Sequence, residues 1–500
     1  MKAKPVDSSI LPCFLALIFL RAASTNLLAA DTPTESDYYT ITPIETPKGA
    51  VIETAGIDIL PDKKVVICTR RGQVWTVENA FDYPAKPTKW KIFAEYLHEP
   101  LSLTYNDGWL YAVQRPEVTR MKDEDGDGRA DVFETVSDGW GISGNYHEYA
   151  FGSPMDKDGN IWCALCLTGS FTSEALYRGW IVRVSKKGKL DPVVSGVRSP
   201  GGVGFNAEGD VFFTDNQGAW NGSSALKWAK PGSFQGNPNG NIWYKYAKDT
   251  AGDRPPDPPY TEAGSRTSIE RKHIPSYIPP AVILPHQKVG NSPTGIVADL
   301  SNGKFGPFAR QVFVGEQTQS KINRVFLEKV NGIYQGAVFP FLQGFQSGNI
   351  GLRLTDDGVL FTGGSNRGWG ARGGKLFDFE RVNWTGKVPF EIHEIRAEKD
   401  GFELTFTKPV DKATALGTSF KTSAFTYIYQ KAYGSPEVDT IHPKVRVATV
   451  AEDGKTIRLK VDPLVQGDVY QIQAEGLKSA ADGESLLHDM GWYTLNEIPR

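Results

Sequence analysis

Apolar and polar residues alternate at period two along most of the chain, in short runs broken by Asp-Gly or other Gly-led turns. That period puts successive side chains on opposite faces of an extended backbone, so the pattern predicts β-strands rather than helices. One unit, GIDILPDKKVVICTRRGQVWTV, reads as strand, tight turn, strand and a third strand led by glycine, and LSLTYNDGWLYAVQR repeats its first half. The unit returns in YAFGSPMDKDGNIWCAL with GWIVRV, and in GGVGFNAEGDVFFTDNQG. It returns again in TGIVADLSNGKFGPFARQVFVGEQTQSKINRVFL, and in IGLRLTDDGVLFTGGSNRG with GGKLFDFE. Turns fall at Asp107-Gly108, Asp158-Gly159, Glu208-Gly209 and Asp357-Gly358, pairs that tolerate the positive φ of hairpin turns. A four-stranded unit cannot bury both faces alone, so about six copies stacked around an axis make a propeller.

The pattern therefore predicts an all-β chain: a lead-in over 31–48, a six-bladed β-propeller over 49–386, and a change of character beyond it. FEIHEIRAEKDGFELTFTKPVD, KVRVATVAEDGKTIRLKV and DVYQIQAEGL are shorter alternating strands with turns about every ten residues, the signature of an immunoglobulin-like β-sandwich over 388–500. The longest insertion, roughly 219–289, is rich in Pro, Gly, Asn and Lys, and loops of that length inside a compact domain are usually functional or disordered.

Composition narrows the function. A net charge of −3 and a pI near 6.2 leave no basic footprint for a nucleic-acid partner. Lys2 and Lys4, the apolar run Ile10–Leu20 and the small residues up to Ala30 predict a secretory signal peptide over 1–30, hence export; no apolar run of membrane-spanning length follows. Beyond it stand Cys68, Cys163 and Cys166, an odd number that argues against a disulfide framework. Cys163-Ala-Leu-Cys166 lacks the histidine of haem attachment and a second pair for zinc, so these thiols are expected in the core.

Asp123–Glu134, DEDGDGRADVFE, has the spacing of a twelve-residue calcium loop. Asp123, Asp125, Asp127, the Arg129 carbonyl, Asp131 and Glu134 are the candidate ligands, with Gly128 at the sharp bend. Its flanks read as strands, which favours a structural Ca²⁺ pinning a loop over a helix-opening sensor.

Further candidates sit at strand ends. Asn216, Gln217, Gln317 and Gln319 close strands at corresponding places of different repeats, and amides converging there suit sugar hydroxyls. Arg367 and Trp369 offer a cation and an aromatic platform, and His286 lies where the insertion rejoins the repeat. Loop packing is the competing explanation for each. Neither a Walker loop nor a GxSxG elbow is present.

The segments HEYAFGSPMDKDGNIWCAL and VRSPGGVGFNAEGDVFFTDNQG resemble consecutive blades of the soluble quinoprotein glucose/sorbosone dehydrogenases, closest to large secreted members from planctomycetes and related bacteria. The resemblance implies a six-bladed propeller that binds pyrroloquinoline quinone (PQQ) and Ca²⁺ and oxidises a sugar or polyol in the bacterial periplasm or outside the cell. It implies that His147 takes the hydroxyl proton and that Arg198 contacts the quinone, with Ser199 in place of the usual asparagine. Gly218 matches a backbone-oxygen ligand of the cofactor's calcium, with Gln217 beside it. This chain has Gly348 and Ile350 where the family carries two cofactor-gripping arginines, and Thr318 in place of a lysine; Lys321 and Arg353 are the nearest substitutes. With no haem motif, a redox-active chain needs a separate electron acceptor. The alternative is a carbohydrate- or protein-binding propeller, taking a small sugar or polysaccharide fragment, that has lost PQQ.

Overall fold

The computed structural model describes residues 33–82, 86–258, 264–368 and 370–500. The proposed signal peptide and Trp369 lie outside them. The described chain is almost entirely β and forms a β-propeller. Its first sheet is Thr54–Ile59, Val65–Thr69, Val74–Glu78 and Lys89–Ala94, each strand antiparallel to the next. The second (Ser102–Asn106 through Val132–Ser137) and third (Ala150–Gly152 through Leu190–Ser195) repeat that order. The fourth runs Pro200–Phe205, Val211–Asp215, Ser224–Trp228 and Val282–Leu284; the fifth Pro293–Ala298, Val312–Glu316, Lys321–Val330 and Ile333–Gln343. The sixth takes Asn349–Leu354, Val359–Ser365 and Phe377–Trp384, and its outer strand is Tyr39–Pro43 from the N-terminal side of the chain. The lead-in is thus the strand that ties the two ends of the ring together.

First strands of successive sheets adjoin, and the sixth adjoins the first, so they surround a central channel. The Asp-Gly and Glu-Gly turns are where the repeat predicts them: Gly108, Gly159, Gly209 and Gly358 all have φ near +80°. All three cysteines of the described chain are buried free thiols. The insertion is shorter than 219–289, because Ser224–Trp228 and Val282–Leu284 inside that span are the outer strands of the fourth sheet. Between them lie a 3₁₀ segment, Pro238–Tyr246, and a short helix, Thr267–His273.

The C-terminal strands are continuous with the propeller. Met490–Thr494 pairs with Ile333–Gln343, extending the fifth sheet through Val469–Ala474 to Phe420–Tyr429. A second sheet, Ile392–Glu398, Gly401–Phe406, Thr456–Asp462 and Lys444–Val450, shares its core, where Phe402, Leu404, Ile457, Tyr470 and Tyr493 meet Phe326 and Phe339 of the fifth sheet. Arg324 fastens the junction. It is fully buried between the rings of Phe308 and Phe339 and donates to the carbonyls of Ile392 and His393. No helix among the described residues is long and apolar enough to cross a membrane.

Candidate functional site

In an antiparallel sheet the end of the second strand lies beside the start of the first. Residues just past the second strands and those opening the first strands therefore gather at one end of the channel. There they line a cavity of about 300 Å³. Arg70, Asn216, Gln317 and Arg367 follow second strands of four different sheets; Tyr149, Pro200, Thr294 and Ile350 come from the starts of first strands. His147, Arg198, Asn216, Gln317 and Arg367, scattered over the chain, thus share one space.

His147 is held through its backbone. Its N–H donates to Asn145 Oδ1 at 3.0 Å, while Arg115 grips the carbonyls of Asn145 (2.9 Å) and Tyr146 (2.5 Å). Burial, then the positive charges of Arg198 and Arg115, push its pKa below the ordinary value of 6.5. The imidazole is neutral at pH 7 and able to accept a proton.

Arginines approach the cavity from two sides. On the side of the sixth, first and second sheets, Arg70 meets Glu99 at 3.3 Å, Arg115 also pairs with Glu99, and Arg367 meets Glu53 at 3.3 Å. Burial raises the pKa of Glu99, but Arg115 and Arg70 outweigh it and hold the carboxyl below its ordinary value. On the fourth-sheet side stands Arg198, 5% exposed. Its Nη1 donates to the Gln217 carbonyl at 2.6 Å, its Nε has no hydrogen-bond partner, and no carboxylate among the described residues comes within 4.0 Å of the guanidinium nitrogens. The nearby acid, Asp215, is committed elsewhere: it accepts from Lys227 Nζ at 2.9 Å and from the backbone N–H groups of Arg198 and Ser199.

The remaining wall comes from the C-terminal strands. The loop after Phe420–Tyr429 lies along residues 218–222: Trp220 N–H donates to Gln430 O, Gly434 N–H to Gly218 O and Ser435 N–H to Gly222 O. This carries Tyr433 over the Arg198 guanidinium, 5.1 Å from ring centroid to Cζ. Tyr433 is 60% exposed and Phe171, 6.5 Å away, is 53% exposed, so two aromatic rings stand in solvent at the cavity rim.

Six expected contacts lie elsewhere. Arg353 sits toward the other end of the channel, its Nε 2.9 Å from Asp58, because it is five residues into its strand rather than at its start. Lys321 donates to the Lys288 carbonyl, outside the cavity lining, and burial lowers its pKa to about 8. The side chain of Gln217 turns to the Gly222 carbonyl. Gly218 serves by lacking a side chain: a Cβ there would overlap the Arg198 guanidinium, and its carbonyl already accepts from Gly434. His286 sits in a turn closed by N–H groups of residues 288–290 on the Pro285 carbonyl, and it is Asn291 and Ser292 further on that reach the cavity. Gln319 braces the same turn through Gln287 O and Asn291 Oδ1.

The acidic loop joins Val118–Lys122 to Val132–Ser137, between strands as expected. Asp123, Asp125 and Asp131 bring carboxylate oxygens within 4.8 Å of one another. Asp127 and Glu134 do not join them. Asp127 Oδ1 caps the Arg129 N–H at 2.7 Å, and Glu134, registered opposite Arg120 on the neighbouring strand, pairs with it at 2.7 Å. The Arg129 side chain reaches Glu95 at 3.4 Å.

Arg70, Glu99, Tyr149 and Phe171 escaped sequence reasoning, although Arg70 occupies the same strand-end position that singled out Asn216 and Gln317. Tyr433 carries no such signal.

Residues 69–245 match a family described as a domain of unknown function (DUF7133). No curated protein matches the chain. Solved structures similar to it include a Thermus thermophilus protein described as an oxidoreductase (glucose dehydrogenase), 17% identical over 69% of this chain and 99% of that one, TM-score 0.48. Another is the PQQ-bound aldose sugar dehydrogenase of Streptomyces coelicolor, 14% identical over 69% and 98%, TM-score 0.46. A third is a calcium structure of a Trichoderma reesei family AA12 carbohydrate-active enzyme, 12% identical over 71% and 97%, TM-score 0.49. Sugar dehydrogenases of the glucose and aldose type are thus among its structural neighbours.

Proposed function

We propose that this is an exported, six-bladed propeller whose cavity binds a sugar or related polyol, braced by an immunoglobulin-like C-terminal region. One observation carries the reading: His147, Arg198, Asn216, Gln317 and Arg367 converge on one cavity rimmed by the exposed rings of Phe171 and Tyr433. Sugars pair an apolar ring face with a fringe of hydroxyls, and aromatic rims with amide, imidazole and guanidinium groups match both. At about 300 Å³ the cavity is at the lower end of small-molecule sites, suited to a ligand of about one ring.

PQQ, which the dehydrogenase resemblance implies, is a poor fit to these residues. A tricarboxylate needs several uncommitted cations in a partly buried site. Arg70 and Arg367 are tied to Glu99 and Glu53, Lys321 and Arg353 are outside the cavity lining, and of the lining arginines Arg198 alone has no carboxylate at its guanidinium among the described residues. The Gly218 carbonyl is also engaged by Gly434. These features favour a binding propeller that has lost the cofactor.

A second reading, oxidation of a sugar C–OH group, is favoured by His147. Its neutral imidazole is suited to take a hydroxyl proton, and Arg198 beside it to stabilise the oxyanion. Titrating the purified protein with a panel of sugars by calorimetry, and with PQQ plus Ca²⁺ in a dye-reduction assay, separates the two. Sugar binding without turnover supports the binding module. Turnover that disappears in His147→Gln supports the dehydrogenase, and an absence of both overturns the site.

For the acidic loop we propose one structural Ca²⁺ held by Asp123, Asp125 and Asp131, with further oxygens from backbone or water. Chelation should lower the melting temperature, since ion at a hundredfold excess over Kd contributes about 2.7 kcal/mol. Asp125→Asn should remove that sensitivity; an unchanged melt on chelation refutes the ion.

A further inference from the structure

The charge inventory of the cavity says more about its ligand than the word sugar does. An arginine only 5% exposed, with no counter-ion at its guanidinium among the described residues, is costly, and folded proteins ordinarily pair such a charge. Among the described residues around this cavity, every arginine but one obeys that rule: Arg70 and Arg115 share Glu99, and Arg367 has Glu53. Arg198 has the Gln217 carbonyl and the Tyr433 ring face, with its Nε unpaired. The one acid within reach of its backbone, Asp215, is held away by Lys227, itself fully buried. Gly218, by lacking a Cβ, leaves the room in which the guanidinium sits.

We infer that the ligand is a sugar acid carrying one carboxylate, a uronate, with its carboxylate on Arg198 and its ring against Phe171 and Tyr433. This deepens the sugar-binding reading and rests on it. A carboxylate is the planar partner that a guanidinium fork meets through two hydrogen bonds, and one uncommitted cation calls for one negative charge. Tyr433 lies beside that cation, so a ring joined to the carboxylate is brought to the aromatic rim. The C-terminal strands then have a part in recognition, since Tyr433 is theirs.

The test is calorimetric titration of the full chain with glucuronate, galacturonate, glucose and galactose. Uronates should bind about tenfold or more tightly than the matching neutral sugars, the range of a charge-assisted hydrogen bond. Arg198→Gln should erase that preference by weakening uronates far more than neutral sugars, and Arg198→Lys should restore part of it. Tyr433→Ala should weaken uronates and neutral sugars alike, and near-ultraviolet circular dichroism confirms that each variant is folded. Equal affinity for charged and neutral sugars overturns the inference but leaves the sugar site standing. A uronate preference that survives Arg198→Gln overturns the assignment to Arg198, and no binding by any of the four overturns the sugar site as well.

Discussion

Two walls of the same cavity are built from the same residue type and treat it in opposite ways. On the side of the sixth, first and second sheets, Arg70, Arg115 and Arg367 are neutralised by Glu53 and Glu99, and Arg115 turns its remaining donors to the backbone ahead of His147. On the fourth-sheet side, the acid that could neutralise Arg198 is itself neutralised by a buried lysine. The first arrangement fixes the shape of the loops; the second leaves an electrostatic debt that a ligand can settle. An arginine lining a cavity is thus informative only once its partners are counted.

The comparison is broken hardest at Lys227. It and Asp215 are almost wholly out of solvent, so Lys227→Met strands a buried carboxylate and should cost about 3–5 kcal/mol in chemical denaturation. Asp215→Asn with Lys227→Met should recover much of that loss, because neither charge is then left alone. If the single change is silent, Asp215 finds another cation, and the account of Arg198 as unpaired fails with it.

Next in size is Glu99→Gln, which takes the carboxylate from two guanidinium groups at once and should cost about 2 kcal/mol. The sign with pH follows from the depressed pKa of Glu99. Its contribution is present above the ordinary glutamate value of 4.5 and is lost as pH falls through the lower folded value. The variant should therefore lose less stability than the parent on acidification, and parallel pH–stability curves would falsify the pairing. Arg198→Gln should behave in the opposite way. With no carboxylate to strand, it should change the stability of the free protein by less than about 1 kcal/mol while removing the uronate preference.

The two walls also differ in how far they were legible in the chain. The repeating strands, their hairpin turns and the burial of Cys68, Cys163 and Cys166 follow from period-two alternation and local turn chemistry, which a sequence displays directly, whereas the pairing of Tyr39–Pro43 into the sixth sheet and of Met490–Thr494 onto the fifth does not. Asn216 and Gln317 were legible because residues just past second strands share one end of the ring, and Arg367, singled out for its charge, stands at that same end. Lys321 and Arg353 were misjudged because nearness along a strand is not nearness in space: four residues past Gln317, and three past Ile350, the chain has left the cavity. The calcium spacing read Glu134 as a ligand, whereas cross-strand register places it opposite Arg120. Pairing was the least legible property. That Glu99 serves Arg70 and Arg115, or that Tyr433 covers Arg198 from a distant hairpin, depends on contacts that no local pattern encodes.

The smallest effect is the most direct reporter, because His147 feels both walls. Its pKa lies below 6.5 through burial and then through Arg198 and Arg115. Being held neutral, it lets the unfolded chain take up the proton first, so its contribution to stability is intact above pH 6.5 and declines as pH falls below that value. Removing the Arg198 charge should raise the imidazole pKa part of the way to 6.5, and the remainder should stay because burial and Arg115 persist. A bound uronate should also raise it in the parent protein, by neutralising Arg198, and should have no such effect in Arg198→Gln. A neutral sugar, which only excludes water, should lower it in both. The imidazole resonance, assigned with His147→Gln and followed by NMR across pH 4.5–8 (the range about an ordinary histidine pKa), reads these shifts. Uronate and neutral sugar moving the resonance in the same direction would mean that Arg198 already has a partner and that the two walls are alike.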